Sequence, residues 1–156
     1  MTPLYLGNIN SWKKLAHSVD PVTFFTAIKI PKKSYINRSI IATANGLQSL
    51  SIPLEGGRGN YMLYKDIKIS YAEKWNLKHT LAIKTAYSKS PFYEYYGDRM
   101  QQIIMNKEVF LLDLNLKLFE QLNTSLKLHL NFNINSIESQ FDYQTLDIPN
   151  EFNTME

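Results

Sequence analysis

A tryptophan and a histidine one helical turn apart are the residues of this sequence best suited to chemistry. Trp75 and His79 share one face of a helix, and the rest of that face is small and apolar. His79 could act there as a general base or bind a ligand, with Trp75 excluding water, or it could be a packing residue with satisfied nitrogens. His17 and His129 are distant in the sequence, so we expect no metal site.

A second group of polar residues lies earlier in the chain. Lys33, Tyr35 and Asn37 alternate along a segment that is expected to be extended, so their side chains can line one surface. Arg38 follows, and its planar guanidinium suits a carboxylate or a phosphate. These residues could form a polar binding strip, or they could be a solvated strand edge with Arg38 paired to a surface acid.

Two further groups combine polarity with apolar surroundings. Asn115 falls on the apolar stripe of a predicted helix, and a buried amide must be hydrogen-bonded, either to neighbouring backbone or toward a pocket. An aromatic group covers more than one side of another predicted helix: Phe92, Tyr93, Tyr95 and Tyr96. Some of these rings must belong to the core, and the others could form a wall for a sugar or acyl group, or an interface.

Composition excludes several classes of function. The chain has 156 residues, which fits one domain, and its 17 basic and 14 acidic residues include no long run of like charge. We therefore expect no nucleic-acid partner. The absence of cysteine excludes disulfides, thiolate zinc sites and cysteine nucleophiles. No GxGxxG, GxSxG or HExxH motif occurs, so the sequence predicts no cofactor and no nucleophilic triad.

The hydropathy pattern bears on the compartment. No segment approaches the roughly 18 consecutive apolar residues of a membrane-spanning helix. The first residues also lack the basic and then apolar pattern of a secretory signal. We therefore expect no transmembrane segment and a cytoplasmic location, and the sequence leaves the oligomeric state open.

The first part of the chain has the pattern of strands. Asn45-Gly46 lies between two apolar runs and predicts a tight hairpin, because both residues of such a turn need positive φ. Alternation or β-branched content predicts strands over residues 22–30, 40–44, 47–54, 66–71 and 126–132.

The middle of the chain has the pattern of helices. Apolar spacing of three and four predicts helices over residues 72–88, 91–105 and 107–122. Ser90 and Pro91 suit the N-cap and the first position of the second helix. Strands, then helices, then a strand indicate the α+β class, with a mixed or antiparallel sheet and an Asn-Gly hairpin packed against about three helices.

Several motifs, taken in order, resemble the WbqC-like protein family. Their order and spacing fit from residue 32 to residue 122, and the N-terminus adds only an echo of the family's opening, Tyr5-x-Gly7. The matching residues are Tyr35-x-Asn37-Arg38, Asn45-Gly46, Leu50-x-Ile52-Pro53, Trp75-x3-His79, Tyr87, Ser90-Pro91-Phe92, Tyr95-Tyr96 and Asn115.

The resemblance implies an association with the biosynthesis of surface polysaccharide of the O-antigen type. It suggests acyl or aminoacyl transfer to an amino sugar that is nucleotide-linked or lipid-linked, with His79 as the candidate catalytic residue. The substrate-binding residues that it implies are Lys33, Tyr35, Asn37, Arg38, Trp75, Tyr87, Tyr95 and Asn115. A non-catalytic binding or scaffold module in a polysaccharide biosynthesis complex is the alternative.

The resemblance also implies a domain organisation. We expect a single WbqC-like α+β domain over residues 1–135. The remaining residues, 136–156, lack periodicity and end in acidic residues, which favours a loosely packed C-terminal tail.

Overall fold

The computed structural model describes residues 2–18, 21–30, 34–56 and 62–136. These residues form an α+β fold, as predicted. The helices are α1 (Ile9–Ala16), α2 (Trp75–Tyr87), α3 (Tyr93–Met105) and α4 (Leu111–Ser125). The strands are β1 (Val22–Phe25), β2 (Arg38–Thr43), β3 (Gly46–Ser51) and β4 (Phe132–Asn135).

The strands pair as two small sheets. β1 runs parallel to β4, with Val22 opposite Phe132 and Phe25 opposite Asn135. β2 and β3 form an antiparallel pair from Arg38 opposite Ser51 to Thr43 opposite Gly46. The parallel pair joins two segments that lie far apart in the sequence, and sequence patterns carry little information about such pairing.

The predicted Asn-Gly turn is wrong in detail. Gly46 already pairs with Thr43 across the hairpin, so the turn residues are Ala44 and Asn45. Gly46 has a φ of 107°, whereas Asn45 does not adopt positive φ. The Thr43 hydroxyl accepts from the Asn45 N–H and donates to the Gly46 carbonyl. This side-chain hydroxyl supports a turn displaced by one residue from the predicted one.

The predicted start of α3 is also wrong. Ser90 donates its backbone N–H to the carbonyl of Tyr87, so it continues the turn that ends α2 and does not cap α3. α3 begins at Tyr93, after Phe92, which adopts a left-handed conformation with a φ of 66°. A missed helix, α1, has a side-chain cap, because Asn8 Oδ1 accepts from the N–H of Ser11 at 2.8 Å.

The late strand predicted over residues 126–132 is wrong in position. β4 begins only at Phe132, because Lys127 and His129 both adopt positive φ, which interrupts the extended backbone expected over residues 126–132. Asn123 closes this loop, since its side chain bonds both the N–H and the carbonyl of Leu130. Residues 66–71 likewise form isolated bridges and no strand, with Leu54 opposite Ile69.

The helices pack in order around the main core. α3 contacts both α2 and α4, and α2 also packs on β2. A short 3-10 helix, Tyr64–Asp66, lies against α4 and buries Tyr64. A smaller cluster lies beside β1 and consists of Leu15, Val22, Phe24 and Phe119.

No helix among the described residues has the length and apolarity to cross a membrane. Of the predicted tail, residues 137–156 lie outside the described residues.

Candidate functional site

The inner face of α2 carries the first two site residues. Trp75 and His79 lie one turn apart, with 2% and 6% of their surfaces exposed. The ring of Trp75 meets that of His79 edge to face, with centroids 5.1 Å apart. The ring of Tyr71 also lies against that of Trp75, with centroids 5.6 Å apart. His79 therefore sits in an aromatic environment, as its helical spacing from Trp75 predicted.

The hydrogen-bond partner of His79 comes from the N-terminal segment. The hydroxyl of Tyr5, a residue with 0% exposure, lies 2.9 Å from Nδ1 of His79. The backbone N–H of Tyr5 donates to the carbonyl of Tyr35 at 3.2 Å. Tyr5 thus joins α2 to the segment that precedes β2, and it brings two of the predicted regions together.

Burial keeps both members of this pair neutral. Burial, with a smaller contribution from the positive charge of Lys78, lowers the pKa of His79 to about 4. Burial raises the pKa of Tyr5 far above its ordinary value, and the nearby Tyr71 adds to this. At neutral pH the contact is therefore a hydrogen bond between an uncharged imidazole and an uncharged phenol, with no ion pair.

Asn115 is the centre of a second buried polar group. It is fully buried on α4, and its Nδ2 donates to the carbonyl of Ile36 at 2.7 Å and to the hydroxyl of Tyr64 at 2.8 Å. The Tyr64 hydroxyl in turn donates to the carbonyl of Pro3 at 3.0 Å. This group ties α4 to the same N-terminal segment that carries Tyr5.

Several buried polar atoms have no hydrogen-bond partner in the described part of the chain. Buried polar atoms are normally paired, so these are candidates for contacts with a ligand. They are Thr2 Oγ1, Ser34 Oγ, Arg38 Nε, Trp75 Nε1 and Asn115 Oδ1. Three of them belong to predicted site residues: Arg38, Trp75 and Asn115.

Two other predicted residues have contacts that hold the fold. Asn37 donates its Nδ2 to the carbonyl of Ile52 at 3.0 Å and accepts from the Ile52 N–H at its own carbonyl. Tyr87 accepts from the N–H of Ala42 at 3.1 Å and so connects the end of α2 to β2. Both contacts secure the β2–β3 hairpin.

The last predicted residues lie elsewhere. Tyr95 is 72% exposed, as is Phe92, and their ring centroids are 6.3 Å apart. Lys33 lies outside the described residues. Over the parts of the chain that the structure covers, no cluster of three or more histidine, cysteine or acidic side chains could hold a metal ion.

Comparison with known proteins assigns the chain to a family. A model described as the WbqC-like protein family matches residues 5–152. The chain belongs to the WbqC-like protein family. The match covers nearly the whole chain and extends beyond residues 32–122 at both ends, and this confirms the resemblance. No curated protein and no solved structure matches the chain.

Sequence reasoning missed Tyr5 and Tyr64 as site residues. For Tyr5, the Tyr5-x-Gly7 pair of this WbqC-like chain was a signal. Gly7 has a φ of 59°, and a Cβ added there would lie 3.0 Å from Nε1 of Trp12, so glycine suits the turn that leads from Tyr5 into α1. Tyr64 had no such signal, because it contacts Asn115 only through the tertiary fold.

Proposed function

We propose that this protein is a transferase that moves an acyl or aminoacyl group onto the amine of an amino sugar. The sugar is nucleotide-linked or lipid-linked, and the reaction belongs to the cytoplasmic biosynthesis of surface polysaccharide of the O-antigen type. One observation carries the proposal. His79 is a buried, neutral histidine with Nδ1 held by Tyr5 and with Nε2 lacking a hydrogen-bond partner among the described residues, which supports a contact with a ligand there.

The reaction needs no covalent enzyme intermediate. The sugar amine attacks the carbonyl carbon of an acyl thioester, a C–N bond forms, and the carbonyl electron pair moves onto oxygen. The pair then returns, the C–S bond breaks, and the departing thiolate takes up the proton that the amine loses. The products are an amide and a free thiol. His79 is the residue that we place beside the reacting carbonyl, inside an environment that excludes water.

The predicted binding strip supplies positive charge for the substrate. The guanidinium of Arg38 suits a phosphate or carboxylate, and its buried Nε has no partner among the described residues. Lys33 and Tyr35, with Asn37, extend the same segment in the sequence. The buried Nε1 of Trp75 has no partner among the described residues, which supports a hydrogen bond from Trp75 to the substrate.

A binding and turnover experiment tests the proposal. The protein is incubated with a panel of nucleotide-linked amino sugars and acyl thioesters, and its melting temperature and the mass of any amide product are measured. We expect at least one sugar and one thioester to raise the melting temperature, because a ligand that binds only the folded chain stabilises it. We also expect an amide product with the native chain.

Matched histidine variants give the control. His79→Asn removes the imidazole at the site, and His129→Asn removes one from an exposed position where positive φ suits asparagine. Product formation should be lost in His79→Asn and retained in His129→Asn. Equal product from all three proteins would overturn the role of His79.

The exposed aromatic pair supports a second candidate function. Phe92 and Tyr95 are both 72% exposed, and such rings favour a contact with another protein. In this alternative the chain is a non-catalytic binding or scaffold module of a polysaccharide biosynthesis complex. A Phe92→Ser, Tyr95→Ser double variant would then lose activity in a reconstituted complex, and the native chain alone would show no shift across the ligand panel.

A further inference from the structure

We propose that Tyr5 is a positioning residue that fixes the tautomer of His79. The Tyr5 hydroxyl donates to Nδ1, so the imidazole carries its proton on Nε2 and presents a hydrogen-bond donor to the ligand. The inference deepens the proposed function, because it defines what His79 does at that site. The tautomer can be measured on the protein without ligand, so its test is independent of the proposed reaction.

The contact between Tyr5 and His79 allows two arrangements. Either the Tyr5 O–H donates to an unprotonated Nδ1, or a protonated Nδ1 donates to the Tyr5 oxygen. The distance of 2.9 Å fits both, so the choice depends on what each arrangement leaves unpaired.

The surroundings of Tyr5 favour the first arrangement. Tyr5 has 0% exposure, and among the described residues its hydroxyl has no partner other than His79. If Nδ1 donated, the Tyr5 hydrogen would be buried without an acceptor. If Tyr5 donates, the hydrogen without a protein partner is the one on Nε2 of His79. His79 keeps 6% of its surface exposed, and Nε2 is not among the fully buried unpaired atoms, so water or a ligand can accept that hydrogen at a lower cost.

The tautomer determines what His79 can contribute to the proposed reaction. A neutral imidazole with its proton on Nε2 has no free lone pair there, so it cannot take a proton from the attacking amine at that atom. It can donate to an oxygen on which negative charge develops, as the carbonyl oxygen does during acyl transfer. The lowered pKa of His79 is consistent with this, because the ring is then neutral at pH 7 and Nε2–H is an uncharged donor.

Nuclear magnetic resonance of the free protein tests the tautomer directly. With 15N-labelled histidine, protonated and unprotonated ring nitrogens differ in chemical shift and in coupling to the ring protons. We expect Nε2 of His79 to be protonated and Nδ1 to be unprotonated at pH 7. We also expect a slowly exchanging Tyr5 hydroxyl proton coupled to Nδ1. A protonated Nδ1, or two populated tautomers, would overturn the proposal.

Paired tyrosine variants separate positioning from structure. Tyr5→Phe removes the donor to Nδ1, whereas Tyr71→Phe removes a nearby hydroxyl that donates to the carbonyl of Glu108. The slowly exchanging hydroxyl proton should vanish only in Tyr5→Phe. Its persistence in that variant would contradict the assignment.

Turnover provides a second measurement that rests on the proposed reaction. In an assay with a thioester and an amino sugar, we expect kcat of Tyr5→Phe to fall at least about tenfold with KM little changed, as when a group that orients a catalytic histidine is lost. Unchanged kcat would overturn the positioning role. If no product forms with the native chain, the proposed function fails, while the spectrum of the free protein still decides the tautomer.

Discussion

Asn115 and His79 are both polar residues on the inner faces of helices. The N-terminal segment contacts His79 directly through Tyr5, and it is linked to Asn115 through the hydroxyl of Tyr64, which donates to the Pro3 carbonyl. Asn115 has 0% exposure, and its amide nitrogen is held by the Ile36 carbonyl and the Tyr64 hydroxyl. His79 keeps a small exposed fraction, and among the described residues it is hydrogen-bonded at Nδ1 only. The amide nitrogen of Asn115 is bound to groups of the fold, whereas Nε2 of His79 has no hydrogen-bond partner among the described residues.

The difference shows how burial and hydrogen bonding divide the roles of polar residues. A polar group whose donors are used within the fold contributes stability, and its loss leaves other buried groups unpaired. A polar group with one free donor can change partners when a ligand arrives. We therefore expect substitutions at Asn115 to affect mainly folding and substitutions at His79 to affect mainly the ligand.

The largest effect is expected at Asn115. Asn115→Leu leaves the Ile36 carbonyl and the Tyr64 hydroxyl without their donor, and we expect the free energy of unfolding in urea to fall by roughly 3–4 kcal/mol. Gln102→Leu, which removes an amide from an exposed position of α3, should change it by less than about 0.5 kcal/mol. If Asn115→Leu kept its stability and lost ligand binding, the contrast with His79 would fail.

The next effect concerns the pH dependence of stability. An unfolded histidine with its ordinary pKa of 6.5 takes up a proton before folded His79, whose pKa is about 4, so acid favours the unfolded chain. The stability from neutral His79 is complete above pH 6.5 and is lost as the pH falls toward 4.

The size of this loss follows from the two pKa values. At about 1.4 kcal/mol per pKa unit, the native chain should lose about 3 kcal/mol more than His79→Asn between neutral pH and pH 4. Urea unfolding of both proteins over this range measures the difference and cancels the contribution of the carboxylates. Parallel curves would show that His79 is not held neutral by burial.

A smaller effect is expected at the partner of Asn115. Tyr64→Phe removes the hydroxyl that accepts from Asn115 and donates to the Pro3 carbonyl, and we expect a loss of roughly 1–2 kcal/mol in thermal or urea unfolding. Tyr95→Phe removes a hydroxyl from a side chain that is 72% exposed and should be neutral. Equal losses in the two variants would mean that the Asn115 group adds little to the fold.

The smallest effect is expected at Tyr87, where a similar contact is open to water. The Tyr87 hydroxyl accepts from the N–H of Ala42, an exposed residue, so water can replace it in Tyr87→Phe. We expect a loss of less than about 1 kcal/mol in urea unfolding. A loss as large as that of Asn115→Leu would place Tyr87 among the buried groups that hold the fold.

Local patterns predicted the helices better than the strands. The spacing of apolar residues located α2 and α4 within a few positions, because an amphipathic helix satisfies its own backbone and buries one face. The strand over residues 126–132 failed, because alternation does not reveal that Lys127 and His129 take positive φ. The β1–β4 pair also escaped prediction, since its partners are separated by most of the chain.

In the candidate site, too, local patterns predicted some features and could not predict others. The shared face of Trp75 and His79 followed from helical spacing alone. The partner of His79 lies 74 residues away, so no local pattern could supply it. Asn37 and Tyr87 had the right residue types for ligand contacts, and the structure engages both in securing the hairpin.

The sequence by itself determined the α+β class, the face shared by Trp75 and His79, and the family resemblance that the WbqC-like match confirms. These features depend on residue type and on spacing within short segments. Only the tertiary structure decided which buried polar groups meet, because Tyr5, Tyr64 and Asn115 come from segments far apart in the chain. It also decided the environment of His79, since burial, and with it a pKa of about 4, arises only when those segments pack together.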